Sequence, residues 1–195
     1  MIIFLSIINF LNIENQIITN QKVNIILNNL DILNRFFTSV KITDISDLFT
    51  DRKFRNKTNF IIIHHDGNDK NLTVFDIDNY HKSKGYKSIA YTFYLTKKGK
   101  IYQVHNINAV NPNTLHYNYN SVSVCLQGNF NKEKLTKKQY YSLLKILMYL
   151  KRKYPKAQIT SHKKLGKTAC PGTNINIELI KKQVANFHFF NLLKH

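Results

Sequence analysis

A short, continuous apolar run near the middle of the chain constrains the fold more than any other feature. The segment NFIIIHHDG is rich in β-branched residues and closes at Gly67, a pattern typical of a buried strand. The stretch before it, DRKFRNKTN, is polar and basic. We therefore predict that the main domain begins at about residue 56 and that its first strand ends in HHDG.

Helices and strands alternate after this first strand. TVFDIDNYHKSKG predicts a helix that stops at Gly85, with Val74, Ile77, Tyr80 and His81 on one face. LTKKQYYSLLKILMYLKRKY predicts a second helix, with Thr136 as its N-cap, Pro155 as its stop, and a core face of Tyr140, Leu143, Leu144, Leu147 and Leu150. Further strands are expected at SIAYTFYLT, KIYQVH, NSVSVCLQG and QITSH, the first two joined by KKGK as a hairpin.

This order predicts an α/β fold with a central mixed β-sheet flanked by helices on its faces. A chain of 195 residues fits one domain of ordinary size with room for an extension. We expect a single domain at residues 56–195 and an N-terminal helical extension at residues 1–55. The residues at helical spacing in this extension are Val23, Ile26, Leu30, Leu33 and Phe37.

The first residues, MIIFLSIINFL, are apolar but fall short of the ~20 residues that span a bilayer. A secretory leader would carry a basic n-region, whereas no Lys or Arg precedes Lys22. A cleaved leader and an ordinary packed segment both remain open, and with them the location of the protein.

The chain is strongly basic, with 29 Lys and Arg against 11 Asp and Glu and a formal charge of +18. A positive electrostatic field of this size indicates a polyanionic partner. Nucleic acid is disfavoured because the basic residues are spread along the chain, without an arginine-rich arm or a reading motif. Anionic cell-wall polymers or lipid headgroups would exploit the same field.

The cysteines point to a metal rather than to a disulfide framework. There are two, Cys125 and Cys170, and one bridge between them is compatible with the count. His162 precedes Cys170 by eight residues, and imidazole nitrogen and thiolate sulfur are favoured zinc ligands. A loop of this length can bring both round one ion, although such a pair is incidental in many proteins.

A third ligand is available at the end of the first strand, where His64 and His65 are adjacent. Neighbouring strand residues point to opposite faces, so only one of the two should reach a shared ion. Two histidines and a thiolate leave a fourth position for water, as in catalytic zinc sites.

Four motifs together resemble a known family. FIIIHHDG, HKSKGYKSIAYTF, NYNSVSVCLQGNF and SHKKLGKTACPG occur in the order found in the zinc-dependent N-acetylmuramoyl-L-alanine amidases, which include phage lysozymes of amidase type and peptidoglycan recognition proteins. The resemblance covers roughly residues 58–180. It implies that residues 56–195 form an amidase-like catalytic domain.

The resemblance also implies a set of functional residues. One zinc ion would be held by His64, His162 and Cys170, and Tyr91 of AYTF would assist the chemistry by binding the developing oxyanion or by positioning water. The family's zinc lowers the pKa of its bound water towards ~7 and polarises the scissile carbonyl. His65 would then be a neighbour that shapes the cleft.

The chain departs from some relatives beside the metal. A lysine stands two positions before the metal cysteine in some of them, whereas this chain has Thr168, whose hydroxyl can hydrogen-bond but carries no charge. Others place a carboxylate where this chain has Cys125. Cys125 is expected to be a small buried hydrophobe. The general base is therefore not identified.

The loop TLHYNYNSVSV resembles the family's substrate-contacting loop. His116, Asn118 and Asn120 are accordingly candidate substrate-binding residues, and the two asparagines could instead order the loop through Asx turns.

The function implied is hydrolysis of the amide between N-acetylmuramic acid and L-alanine of the stem peptide, by a monomer without a transmembrane span. The enzyme would be exported, or held in the cytoplasm until lysis. The alternatives are a module that binds muropeptide without cleaving it, and a basic nucleic-acid or membrane-surface protein in which the His and Cys residues are incidental.

Overall fold

The computed structural model describes residues 39–49 and 53–192, together with residues 16, 19–22 and 24, which are helical. For residues 187–192 the backbone alone is described. The predicted helical face of Val23, Ile26, Leu30, Leu33 and Phe37 lies outside the described residues.

Strands and helices alternate along the described chain. The strands are β1 (Ile42–Asp44), β2 (Phe60–His65), β3 (Phe93–Leu95), β4 (Ile101–Gln103), β5 (Ser121–Leu126) and β6 (Gln158–Ser161). The helices are α1 (Val74–Ser83), α2 (Lys137–Lys153), α3 (His162–Leu165) and α4 (Ile177–Leu192), with a 3-10 turn at Ser46–Leu48.

The six strands of the described chain form one mixed sheet in the order β1-β4-β3-β5-β2-β6. β3 and β4 are antiparallel and form the predicted hairpin. The other neighbouring strands run parallel to each other. β2 lies between β5 and β6, so its backbone is hydrogen-bonded on both edges, as its apolar sequence predicts.

Each face of the sheet has its own apolar core. On one face, Ile61, Ile63 and Val124 pack against residues of α2 and α4. On the other, Cys125 and Tyr94 pack against Val74 and Ile77 of α1. The predicted mixed sheet with helices on its faces is therefore confirmed.

Helix α2 begins where the sequence predicts. Thr136 is its N-cap, and the Thr136 hydroxyl oxygen accepts a hydrogen bond from the backbone N–H of Gln139 at 3.1 Å. The predicted core face is also present, because Leu143, Leu144, Leu147 and Leu150 are buried.

Two details of the predicted elements are wrong. Tyr80 is 57% exposed and does not share the buried face of Val74 and Ile77. The strand predicted at SIAYTFYLT is shorter, starting only at Phe93. The reason lies in α1: the backbone N–H of Ile89 donates to the Asp78 carboxylate at 2.7 Å. The backbone before Phe93 thus bonds to a side chain of helix α1 instead of extending the sheet.

The residues just before the apolar run are joined to the sheet. β1 pairs in parallel with β4, and the buried Arg55 guanidinium donates to the backbone carbonyls of Ile107 and Ala109. A domain boundary at residue 56 stays a prediction. Among the described residues, none of the helices combines the length and apolar character that crossing a bilayer requires.

Candidate metal centre

The candidate metal residues meet where two parallel strands end. His64 lies near the carboxyl end of β2, and His162 directly follows β6 as the first residue of α3. Because β2 and β6 are parallel neighbours, the two imidazoles come to the same edge of the sheet, where open α/β sheets place their functional groups. The ring centroids are 4.8 Å apart.

Cys170 reaches the same point from a loop that folds back on α3. The backbone N–H of Lys163 donates to the carbonyl of Cys170 at 2.8 Å and closes this loop. The backbone N–H of His65 donates to the Cys170 sulfur at 3.3 Å. This hydrogen bond holds the sulfur against strand β2. The sulfur lies 3.7 Å from Nδ1 of His64.

The adjacent His65 points away from this cluster. Its ring lies 6.2 Å from that of Phe130, and its Nδ1 accepts a hydrogen bond from the backbone N–H of Phe130 at 3.2 Å. His64, by contrast, is almost fully buried among His162, Tyr91 and Cys170. The two side chains therefore follow the alternation of a strand.

His64, His162 and Cys170 together form a group able to hold a metal ion. Their ligand atoms all lie within 4.8 Å of one another. Two imidazoles and one thiolate form a donor set that suits zinc.

The electrostatics of the centre keep its side chains neutral in the absence of a cation. Burial, and then the neighbouring His162, lower the pKa of His64 from 6.5 to about 3. Burial also lowers the pKa of His162 and raises the pKa of the Cys170 thiol from 9.0 to about 12. The imidazoles are thus in the form that binds metals, and a divalent ion binds by displacing the thiol proton.

Tyr91 lies beside the centre, with its ring centroid 5.2 Å from that of His64. Burial raises the pKa of Tyr91 well above its usual value, and the nearby Cys125 and Cys170 add to this effect. The phenol consequently keeps its proton at neutral pH and can donate a hydrogen bond. Cys125, fully buried as predicted, is a hydrogen-bonding neighbour of Tyr91. Both cysteines are free, so no bridge joins them.

Thr168 is exposed in the loop that carries Cys170. Its hydroxyl oxygen accepts a hydrogen bond from the backbone N–H of Cys170 at 3.1 Å. The side chain therefore orders the backbone at the ligand, in an ST-type turn.

The candidate substrate residues of the loop before β5 lie away from the metal ligands. Tyr117 packs on Phe60 with ring centroids 5.3 Å apart, which places the loop tip at the opposite end of β2 from His64. His116 is exposed and has a positive φ of 68°. The side-chain amide oxygen Oδ1 of Asn118 accepts a hydrogen bond from the backbone N–H of Thr114 at 2.9 Å.

Asn118 therefore orders the loop, and the side-chain amide oxygen Oδ1 of Asn120 is buried without a hydrogen-bond partner among the described residues. Contact of these residues and of His65 with substrate stays a prediction.

Two residues near the centre were missed by the sequence reasoning. The His81 ring lies 5.4 Å from Tyr91, and its Nδ1 accepts from the backbone N–H of Ala90 at 3.1 Å, so it supports the segment that carries Tyr91. A histidine on an otherwise apolar helix face was the available signal. Asn113 is buried, and its side chain opposes the lowering of the His64 pKa; nothing in its sequence context marks it.

Comparison with known proteins agrees with this geometry. The family model described as N-acetylmuramoyl-L-alanine amidase matches residues 54–173. The chain belongs to this amidase family. The match spans the strand that bears His64 and the loop that bears Cys170.

Individual relatives of this amidase include enzymes and recognition proteins. It is 31% identical to the solved N-acetylmuramoyl-L-alanine amidase LysC from Clostridium intestinale URNW, with a TM-score of 0.66 over 75% of this chain and 99% of LysC. It is 28% identical to the endolysin of Escherichia phage T7, over 63% of this chain and 86% of the endolysin. It is 28% identical to peptidoglycan-recognition protein SC2 of Drosophila melanogaster, over 62% of this chain and 71% of that protein.

Proposed function

We propose that this peptidoglycan amidase binds one zinc ion through His64, His162 and Cys170, and uses it to cleave the amide between N-acetylmuramic acid and L-alanine of the stem peptide. The observation that carries the proposal is the convergence of the three ligand atoms to within 4.8 Å. Each comes from a different element: β2, the start of α3 and the loop after it.

The three residues fit the ion that the family implies. Zinc–ligand bonds of about 2.0–2.3 Å in a tetrahedron place sulfur and nitrogen about 3.6 Å apart, close to the 3.7 Å between Cys170 Sγ and His64 Nδ1. Three protein ligands leave one position for water or substrate, which is the arrangement of a catalytic site rather than a structural one.

Zinc in such a site supplies Lewis acidity, which polarises a carbonyl and activates water. Overall, hydrolysis adds the oxygen of one water molecule to the lactyl carbonyl carbon of N-acetylmuramic acid and breaks the C–N bond. One proton from that water goes to the amine of L-alanine, and the new carboxyl group loses another at neutral pH.

The residues around the ligands have distinct roles in this proposal. Tyr91 donates a hydrogen bond to the carbonyl oxygen as negative charge develops there, because its raised pKa keeps the phenol protonated. Thr168 holds the backbone of Cys170. Cys125 supplies no carboxylate but packs beneath Tyr91, so it shapes the site without moving a proton.

The partner of the site is peptidoglycan or a muropeptide derived from it. The net charge of +18 adds attraction to anionic polymers of the cell wall. Every proposed ligand comes from one chain, so a monomer suffices to form the centre, and a monomer is the state that we propose.

Three substitutions test the metal assignment. His64→Ala and Cys170→Ser should each abolish zinc binding and amidase activity, because either one removes a ligand from the ion. His65→Ala is the matched control: it removes a neighbouring histidine that faces Phe130 and should keep one zinc per chain. Zinc content by atomic absorption and mass spectrometry of digested sacculi provide the readouts.

These measurements also separate the alternatives. A wild-type protein that binds zinc and muropeptide but releases no peptide would be a recognition module, as some relatives of this fold are by name. Full turnover in Cys170→Ser would refute the proposed centre.

A further inference from the structure

A cavity of about 380 Å³ lies between the first turns of helices α2 and α4. Its volume is in the range of pockets that bind small ligands. The apolar part of the lining includes Leu135, Tyr140 and Ile180, together with Tyr141 and Leu179, which are 47% and 48% exposed. Large apolar side chains that stay accessible around a cavity are typical of a binding surface.

Four polar residues of the lining can recognise a ligand. Lys134 and Lys137 are exposed, and neither forms an ion pair with another described residue. The Asn174 side-chain nitrogen Nδ2 donates to a backbone carbonyl at 2.9 Å, which leaves its Oδ1 as an acceptor. The Asn176 Oδ1 accepts from a backbone N–H of α4 at 2.9 Å, which leaves its Nδ2 as a donor. The cavity thus offers two cations, one acceptor and one donor.

The acidic residues beside this lining are already paired. The Glu133 carboxylate lies 2.7 Å from the ammonium group of Lys97, and the Glu178 carboxylate lies 2.9 Å from that of Lys181. The two lysines of the lining therefore make the cavity positive, in keeping with the formal charge of +18 on the whole chain. Charge complementarity favours an anionic ligand.

The cavity lies at the same edge of the sheet as the metal centre. In the first turn of α2, the Gln139 side chain donates to the backbone carbonyls of Leu95 and Gln127 at 3.3 and 3.0 Å. Leu95 ends β3 and Gln127 directly follows β5, and both strands run parallel to the strand that bears the histidine pair. Asn174 follows Cys170 by four positions. A polymeric ligand can therefore span both places.

We propose that this cavity binds the glycan product of the reaction. The hydrolysis proposed above leaves an ionised lactyl carboxylate on each N-acetylmuramic acid that has lost its stem peptide, so the stripped glycan strand is an anionic polysaccharide. Lys134 and Lys137 pair with these carboxylates. Asn174 and Asn176 accept from and donate to the N-acetyl amides, and a sugar ring packs on Tyr141. The inference rests on the proposed function.

Binding of defined glycans tests this assignment. Soluble glycan strands without stem peptides should bind the wild type at about 0.15 M NaCl. Lys134→Gln/Lys137→Gln should raise the dissociation constant about 10-fold, the loss expected from two exposed charge contacts. A chito-oligosaccharide of equal length has N-acetylated sugars but no carboxylates, so it should bind more weakly and with the same affinity to both proteins. Isothermal titration calorimetry measures all four constants.

A matched control separates the cavity from the charge of the whole protein. Lys153→Gln/Lys156→Gln removes the same charge at the other end of α2, where both lysines are exposed. This variant should bind the stripped strands with nearly the wild-type affinity. Equal weakening in the two double variants would mean that overall charge alone attracts the glycan, and the inference would be wrong.

A phosphate polymer is the competing ligand. Tyr141→Ala should weaken binding of the stripped strands and of the chito-oligosaccharide, because it removes the ring on which a sugar packs. If poly(glycerol phosphate) bound more tightly than the stripped strands and lost this affinity in Lys134→Gln/Lys137→Gln, the cavity would belong to phosphate-bearing polymers. That result would overturn the inference.

Failure of the proposed function would be visible separately. The stripped strands contain no bond that the amidase cleaves, so their binding is measured without turnover. A wild type that released no peptide from a muropeptide would overturn the proposed function, whatever its affinity for the strands. A wild type that cleaved the muropeptide but did not bind the strands would overturn only the inference about the cavity.

Discussion

At the scale of single residues, strand alternation separates the two adjacent histidines and decides which of them is the candidate metal ligand. His64 faces His162 and Cys170, whereas His65 faces Phe130. The period of two in a strand made this separation predictable, and motif order indicated which histidine to choose. The positions of His162 and Cys170 in the chain likewise pointed to one ion.

Tyr91 gives a prediction at this scale. Tyr91→Phe removes a single hydroxyl, so kcat for amide cleavage should fall by about 10²- to 10³-fold, the usual loss for one oxyanion donor. Zinc content should stay at the wild-type level because Tyr91 is not a ligand. Steady-state kinetics on a muropeptide, together with atomic absorption, check both statements.

The same substitution at Tyr94, on strand β3, is the control. Tyr94 is buried, and its hydroxyl donates to the Asp66 carboxylate at 2.7 Å and to the Leu72 carbonyl at 3.0 Å. Tyr94→Phe should therefore lower stability with little change in kcat. Equal losses of kcat in the two variants would argue against a direct part for Tyr91.

Other site residues could not be predicted from sequence. Asn113, whose side chain acts on the pKa of His64, lies in a loop 49 positions further along the chain, and no local pattern encodes such an interaction. Thr168 was considered for its hydroxyl, but its hydrogen bond to the Cys170 backbone depends on the path of the loop. Side chains placed by tertiary folding leave no periodic signal.

At the scale of elements, the start of helix α2 was predictable, whereas the length of strand β3 was not. Thr136 caps α2 through a local hydrogen bond that its own residue type favours. The residues before Phe93 have strand-like composition, yet the backbone N–H groups of Ile89 and Ala90 bond to Asp78 and His81 of α1. Competing partners in the preceding helix override local propensity there.

The start of α1 provides a prediction about pH. Thr73 and Asp76 form a capping box, and hydrogen bonds from Thr73 lower the pKa of Asp76 below 3.8. A lowered pKa in the folded state means that this stabilisation is present above 3.8 and is lost as pH falls through the lowered value. Asp76→Asn should therefore reduce thermal stability at neutral pH, by an amount that shrinks at acidic pH.

The melting temperatures of the wild type and of Asp76→Asn, measured from neutral pH to about pH 3, test this pH dependence. A constant difference in melting temperature across that range would show that the carboxylate charge contributes nothing to the cap. Glu178→Gln is a suitable control, because Glu178 also lies in the first turn of a helix, α4, and its carboxylate pairs with the side chain of Lys181.

At the scale of the whole molecule, the chain is strongly basic. The surplus of basic residues, +18 in formal charge, indicated a polyanionic partner but could not name it. The four motifs in order identified the family, which the family model confirms over residues 54–173. The sequence therefore predicted the architecture and the enzyme class. The positive charge of the protein indicates only that its partner is anionic.

Salt dependence tests the contribution of this charge. Raising NaCl from about 0.05 M to about 0.5 M shortens the range of charge interactions to a few ångströms, so KM for intact, anionic sacculi should rise. Turnover of a small uncharged muramoyl-amide substrate should change little, because chemistry at the metal centre is local. Release of soluble peptide from each substrate provides the comparison, and equal salt effects on both would contradict electrostatic attraction to the wall.

The proposed ligands of the metal centre are far apart in the chain, and Cys170 follows His64 by 106 positions. No fragment ending before β6 contains more than one of the three, and the parallel pairing of β2 with β6 is required to bring them together. Bringing such distant segments together costs loop-closure entropy, which slows folding. A nascent or incompletely folded chain therefore lacks the proposed catalytic centre. Peptidoglycan hydrolysis can begin only after synthesis has passed Cys170 and β6 has paired with β2.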